Sequence, residues 1–200
     1  MSTDKIKSGG KSLYEDFKSD RAFMLMTGPH APNGIEEAYE IQNEYMGLRS
    51  GDSGEFAGYK IAFTTKVMQQ RLGATEPVYG RIFKSNVFHS PAVVAAADYV
   101  RLGVECEIAV ILGEDLYSES GSVSKNDVFA AVESISIAYE IIDSRPSLGE
   151  DSIPQSIATN ISGAGVVLGS PVRNWRDLDV PGSVCAVSYT HLTLPTTPYV

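Results

Sequence analysis

The chain has 200 residues, 43% hydrophobic and 20% charged, enough apolar material for one ordinary globular domain, or one with a helical extension. A formal net charge of −9 and a sequence pI near 4.8 argue against nucleic acid or an anionic membrane as partner. No apolar run approaches the roughly 20 residues of a spanning helix, the N-terminus lacks a signal-peptide core, and two cysteines, Cys106 and Cys185, exclude a disulfide framework, so both thiols are expected reduced in a cytoplasmic protein.

In chain order, residues 1–12 are polar and rich in Gly, Ser and Lys and read as a loose tail. Residues 13–26 fit a short helix. Pro29, Pro32 and Gly34 mark a loop, and Asn33 is placed to cap the next helix. That helix runs to about residue 48, with Glu36 and Glu37 favouring its N-terminal dipole and Ile35, Ala38, Tyr39, Gln42, Tyr45 and Met46 on one stripe. Gly51 and Gly54 end it. Residues 56–63 read as a strand containing Gly58-Tyr59-Lys60, and 65–72 as a short helix closed by Gly73. A turn at 74–80 carries Pro77, and strands follow at 81–88, 92–96 and 100–112. Ser124 and Asp127 resemble a capping box opening a helix with Val128, Ala131 and Val132 inward. Residues 136–142 form the next strand, 145–159 a polar loop with Pro146 and Pro154, and 163–168 another strand. Residues 188–200 are Thr- and Pro-rich, without charge or a periodic apolar face, and read as a non-native extension. The expected division is a tail at 1–12, a helical part at 13–54, a catalytic β-rich domain at 55–187 and the added tail at 188–200. Helices concentrate before residue 73.

Chemistry concentrates at Glu105-Cys106-Glu107. The pair sits in an apolar run, 104–112, that reads as a buried strand, so both carboxylates point to one face and Cys106 to the opposite, packed face. Two anions buried side by side are costly unless a cation lies between them, and a hard divalent ion such as Mg²⁺ or Mn²⁺ prefers oxygen ligands. Glu140 lies in a second apolar run, 135–142, where nothing else needs a charge. The plainer alternative is that these acids line a solvated sheet face, as a strand-edge lysine such as Lys60 is usually solvated. His30, His89 and His191 lie in unrelated contexts, and no nucleophile elbow, catalytic cysteine setting or nucleotide-binding glycine pattern occurs.

Gly58-Tyr59-Lys60, Met68-Gln69-Gln70, Leu72-Gly73, Val104-Glu105-Cys106-Glu107-Ile108-Ala109, Tyr139-Glu140-Ile141-Ile142-Asp143-Ser144-Arg145, Ala158-Thr159-Asn160-Ile161-Ser162 and Gly165 to Gly169 follow in an order and spacing that is specific in combination. Over about residues 35–182 the chain resembles the 2-keto-4-pentenoate hydratases of the fumarylacetoacetate hydrolase superfamily. The resemblance implies an α+β, β-rich mixed-sheet fold with an N-terminal helical part. It also implies one divalent metal, Mg²⁺ or Mn²⁺, on Glu105, Glu107 and Glu140. Lys60 is implied in substrate binding or proton transfer, with Glu140 or a metal-bound water acting at the other end, and a complete domain is implied to form a homo-oligomer. Two departures matter. Many members carry Pro-Asp-Phe-Gly where this chain has Pro77-Val78-Tyr79-Gly80, so no acid/base role passes to Val78. Members also continue further, so the chain is expected to be a C-terminally truncated member with a foreign tail and an exposed sheet edge.

The implied substrate is a small 2-hydroxydienoate or its 2-oxo tautomer, and the implied reaction is addition of water in aromatic-compound catabolism. The same metal-assisted logic serves a decarboxylase or a C–C hydrolase of a 2-oxo acid, and a non-enzyme alternative is an inactive metal- or ligand-binding remnant.

Overall fold

A computed structural model describes residues 3–118, 121–145, 152–180 and 182–183. The first element corrects the expectation of a loose tail at 1–12. Helix α1 spans Thr3–Lys18 and packs along helix α2, Ile35–Ser53. Ile6, Gly10, Leu13 and Phe17 recur at helical spacing and face the core. Gly10 allows the close approach, since a Cβ there would stand 2.5 Å from Glu44 Cγ and 2.9 Å from the Tyr45 nitrogen. Lys5 adds an ion pair to Glu37 at 2.9 Å. The helix ends eight residues short of the expected residue 26, and Phe23 instead donates its N–H to the Arg145 carbonyl. Asn33 does not cap α2; Gly34 holds that position, and the Glu37 carboxylate takes the Asn33 N–H at 2.5 Å. Gly54, at φ 81°, ends the helix.

Strand β1 (Phe56–Ala62) pairs antiparallel with β2 (Val78–Phe83), placing Lys60 opposite Gly80. Between them, α3 (Lys66–Leu72) is capped by the Thr65 hydroxyl and closed by Gly73 in the left-handed region, as its sequence signals predict. The single strand expected over 81–88 is two. β2 starts earlier, at Val78, a 3-10 turn occupies Lys84–Asn86, and β3 (Val87–His89) joins a different sheet. Residues 92–96 form no strand; three of the five are alanine, which has little β preference, and they lead into a 3-10 turn at Ala96–Asp98.

The larger sheet has the order β3-β6-β5-β4. β4 (Leu102–Leu112) and β5 (Val132–Asp143) are antiparallel, as are β5 and β6 (Gly163–Leu168), while β3 runs parallel to β6. Helix α4 (Lys125–Ala131) opens with the expected Ser124–Asp127 capping box and leads directly into β5; Ala131 and Val132 are buried, whereas Val128 is exposed. In the segment expected to be a polar loop, residues 152–159 hold a one-and-a-half-turn helix, α5 (Ile153–Ala158). Pro154 stands in its first turn, where a missing N–H costs nothing, and Ile157 and Ala158 pack against α2. Two apolar clusters result. One holds Leu13, Phe23, Ile41, Tyr45, Met46 and Phe83; the other holds Ala38, Val78, Ile153, Ile157 and Ile161.

The expectation that 104–112 is a buried strand is also corrected. β4 is the end strand of its sheet among the described residues, and Val104, Ile108 and Val110 are about half exposed, as is Cys106's side of the strand. Ile137 and Tyr139 of β5 extend the same apolar strip. Apolar composition marked the strand correctly, but burial needs a covering layer, and none of the described elements supplies one on that face. No described helix is long and apolar enough to cross a membrane. The expectations for Cys185, for residues 146–151 and for 188–200 lie outside the described residues.

Candidate metal centre

Strand periodicity places the three acids. Glu105 and Glu107 stand two apart on β4 and share a face; in the antiparallel ladder Glu105 lies directly opposite Glu140 of β5. Carboxylate oxygens of Glu105, Glu107 and Glu140 all come within 4.8 Å of one another. Glu105 and Glu107 are open to solvent, whereas Glu140 is 6% exposed.

Lys60 arrives from the other sheet. It is 9% exposed, and its Nζ stands 2.7 Å from Glu140 Oε1. The contact is a close ion pair, and Glu140 Oε1 is otherwise buried without a hydrogen-bond partner among the described residues. Lys60 Nζ does donate to the Ile161 carbonyl at 3.1 Å. The lysine stem runs through a gap kept open by two glycines. A Cβ on Gly80 would stand 3.2 Å from Lys60 Cγ, and one on Gly163 would stand 3.0 Å from Lys60 Cδ. Sequence reading missed both glycines, because their role is set by a neighbour far away in the chain.

Burial pushes the Glu140 carboxyl above its ordinary range; Lys60 opposes this, and Glu105 and Glu107 add to it. Glu107 is raised as well, by desolvation first and then by Glu105. Three carboxylates facing one lysine leave two negative charges unbalanced. A divalent cation supplies that balance, and an all-oxygen donor set suits a hard ion.

The remaining sequence candidates lie elsewhere. Val78 is a buried member of an apolar cluster with Ala38, Ile157 and Ile161, which suits the valine at that turn. His89 ends β3 and is exposed, His30 closes a 3-10 turn, and His191 is outside the described residues. A cavity of about 330 Å³ lined by Phe17, Tyr45, Arg49, Arg145 and Ser162 includes none of the three acids or Lys60. Beside it, Arg145 is fastened to Asp143 at 2.6 Å and donates to the Phe17 carbonyl, tying α1 to the end of β5. The motif Asp143-Ser144-Arg145 thus has a structural use.

No family model matches the chain. It is 30% identical over 185 residues to a 2-hydroxyhexa-2,4-dienoate hydratase of Comamonas testosteroni, covering 92% of this chain and 69% of that protein. It is 32% identical over 191 residues to a 2-keto-4-pentenoate hydratase of Paraburkholderia phymatum, covering 95% of this chain and 71% of that one. A 4-oxalocrotonate decarboxylase of a Pseudomonas species is 32% identical over 180 residues, 90% of this chain and 69% of that protein. The fold is shared with the 4-oxalocrotonate decarboxylase from Pseudomonas putida G7 complexed with magnesium and adipate. The TM-score is 0.79 at 19% identity, covering 90% of this chain and 68% of that one. The same decarboxylase complexed with calcium and acetate matches with a TM-score of 0.77. By identity and coverage together, this chain belongs to the 2-keto-4-pentenoate hydratase family.

Proposed function

We propose that the chain is a divalent-metal-dependent hydratase that adds water to a 2-hydroxy-2,4-dienoate of the 2-keto-4-pentenoate type, in aromatic-compound catabolism. The observation that carries this reading is the convergence of Glu105, Glu107 and Glu140 beside a buried lysine, in a chain of this family. Glu105 and Glu107 from β4 and Glu140 from β5 would hold Mg²⁺ or Mn²⁺. When bound, the ion supplies Lewis acidity toward the substrate's carboxylate and 2-oxygen.

The chain's own groups handle protons. Ketonisation moves the 2-hydroxyl proton to C5 of the dienoate; water then adds its oxygen to C4 and a proton to C3. Lys60 Nζ and Glu140 Oε1, 2.7 Å apart, are close enough to exchange a proton, and the raised carboxyl of Glu140 brings it nearer to neutral pH, where a proton-transfer group works best. The ammonium also suits the substrate's carboxylate. The reading includes a cytoplasmic location, supported by the acidic composition and two cysteines, and self-association, which sedimentation at graded concentrations tests.

The likeness to 4-oxalocrotonate decarboxylases supports a second reading, loss of CO₂ from a 2-oxo-3-enedioate. The deciding experiment offers the protein, with Mg²⁺, a 2-hydroxydienoate, a 2-oxo-3-enedioate and an acylpyruvate. Hydration of the first alone supports the hydratase. CO₂ release or C–C cleavage selects the other enzyme readings, and tight metal binding without turnover selects a binding remnant.

A further inference from the structure

Residues Asn160, Ile161 and Ser162 all have positive φ, at 58°, 51° and 57°. One left-handed residue is common for asparagine, but three in a row, including a β-branched isoleucine, cost free energy at each step and persist only where the surroundings hold them. The holding contacts come from the Asn160 side chain. Its Oδ1 accepts the Arg81 N–H at 2.7 Å, and its Nδ2 donates to the Arg81 carbonyl at 3.0 Å and to the Gly163 carbonyl at 3.4 Å. Asn160 is 1% exposed, so these bonds have little competition from water. The amide therefore pins the turn to β2 on one side and to the start of β6 on the other.

The same turn delivers a functional atom. Its central carbonyl, that of Ile161, accepts from Lys60 Nζ at 3.1 Å, while Nζ faces Glu140 at 2.7 Å. Gly80 and Gly163 leave room for both groups at once. A Cβ on Gly80 would stand 2.8 Å from the Asn160 carbonyl oxygen, and one on Gly163 would meet that oxygen at 3.2 Å and Lys60 Cδ at 3.0 Å. A relaxed turn would swing the Ile161 carbonyl away and leave the lysine tethered only by its ion pair with Glu140.

We propose that Asn160 is a positioning residue for Lys60: its side-chain amide locks the left-handed turn that aims the Ile161 carbonyl at the lysine ammonium and so holds that ammonium against Glu140. The proposal rests on the reading of Lys60 and Glu140 as the proton-handling pair, and its test does not depend on turnover.

The probe is reductive methylation of the folded protein with formaldehyde and a borohydride, followed by mass spectrometry at each lysine. In the parent protein, Lys60 should be modified slowly. Asn160→Gly keeps a residue suited to positive φ and removes only the clamp. It should raise the Lys60 rate about ten-fold, the scale of a local opening made easier, while Lys5, the half-buried partner of Glu37, keeps its parent rate. Gly163→Ala, which crowds Lys60 Cδ, should act in the same direction. Mn²⁺ affinity should stay within about three-fold in both variants, since no carboxylate is moved. An unchanged Lys60 rate overturns the proposal, as does acceleration of Lys5 in step with Lys60, which would report general loosening. If Asn160→Gly does not fold, Asn160→Asp, which keeps the acceptor for the Arg81 N–H, carries the same readout and the same criteria. Absence of Mn²⁺ binding in the parent protein defeats the metal reading and leaves the lysine result to decide the positioning role.

Discussion

Glu140 and Glu107 hold their protons more tightly than solvated glutamates, Glu140 chiefly because burial disfavours its charged form, and the more exposed Glu107 through partial desolvation and the neighbouring Glu105. The sign of the consequence follows from linkage. A carboxyl raised in the folded state binds more protons there than in the unfolded chain. In the metal-free protein, both groups therefore favour folding more as pH falls from above their raised values toward the ordinary carboxylate value. In the proposed site, acid would compete with the metal for the same oxygens, so Mn²⁺ affinity measured calorimetrically should begin to weaken at a higher pH than a solvated glutamate site would. Flat affinity between about pH 7 and pH 5 would contradict the raised values. Single substitutions separate the roles. Glu107→Gln removes the charge of a proposed ligand and should weaken Mn²⁺ by more than about ten-fold with little change in melting temperature. Lys60→Ala removes a cation that faces the same carboxylates, so Mn²⁺ affinity should hold or rise while turnover falls. Equal losses in both variants would place Lys60 in metal retention. The three acids were legible in sequence because charges in apolar runs, two of them at period-two spacing, are conspicuous, whereas Lys60 stood out only through the family resemblance. Asn160, Gly80 and Gly163 were not legible, because their use depends on a lysine 100 residues away for Asn160 and on contacts between separate sheets.

Helix α1 shows why whole elements are misread. Its contact stripe is narrow, its outer face is charged, and its point of closest approach is a glycine, which in sequence counts as a breaker. α5 was hidden in a similar way by a proline that stands where helices tolerate it. By contrast α3, α4 and β6 appeared where their caps and apolar runs indicated, because those signals are local. Gly10→Val tests the α1 packing. Its added carbons meet Glu44 and the α2 backbone, so the variant should lose about 1–3 kcal/mol of stability in denaturant melts. An unaffected midpoint would mean that α1 contributes little to the fold. Leu13→Ala, at a buried position of the same helix, should cost about 2–5 kcal/mol.

At the scale of the whole molecule, the fold brings together parts far apart in sequence: a lysine from a two-stranded sheet, acids from a four-stranded one, and a turn after α5 that bonds to Lys60 and Arg81 of the first and to Gly163 at the start of β6 in the second. An ion on the three carboxylates would stabilise this arrangement by mass action. At one hundred times its dissociation constant, Mn²⁺ should add about 2.7 kcal/mol, seen as a rise of roughly 5–10 °C in melting temperature that EDTA reverses. No shift at saturating metal would set the site aside. The fold class was legible from the alternation of strands and the resemblance together; the exposed face of β4 was not, because sequence records which residues prefer burial and not whether a layer arrives to cover them. That exposed position has a dynamic consequence. β4 is zipped to the sheet along one side only among the described residues, yet it carries two of the three acids, while the third sits on the strand it is zipped to. Each time the strand frays, the cluster comes apart, so an ion bridging Glu105, Glu107 and Glu140 would act as a stitch across the seam. Amide hydrogen exchange should therefore slow most in β4 when Mn²⁺ is added, with α1 and α2 nearly unchanged. Slowing spread evenly over the molecule would mean that the seam opens only with the whole fold.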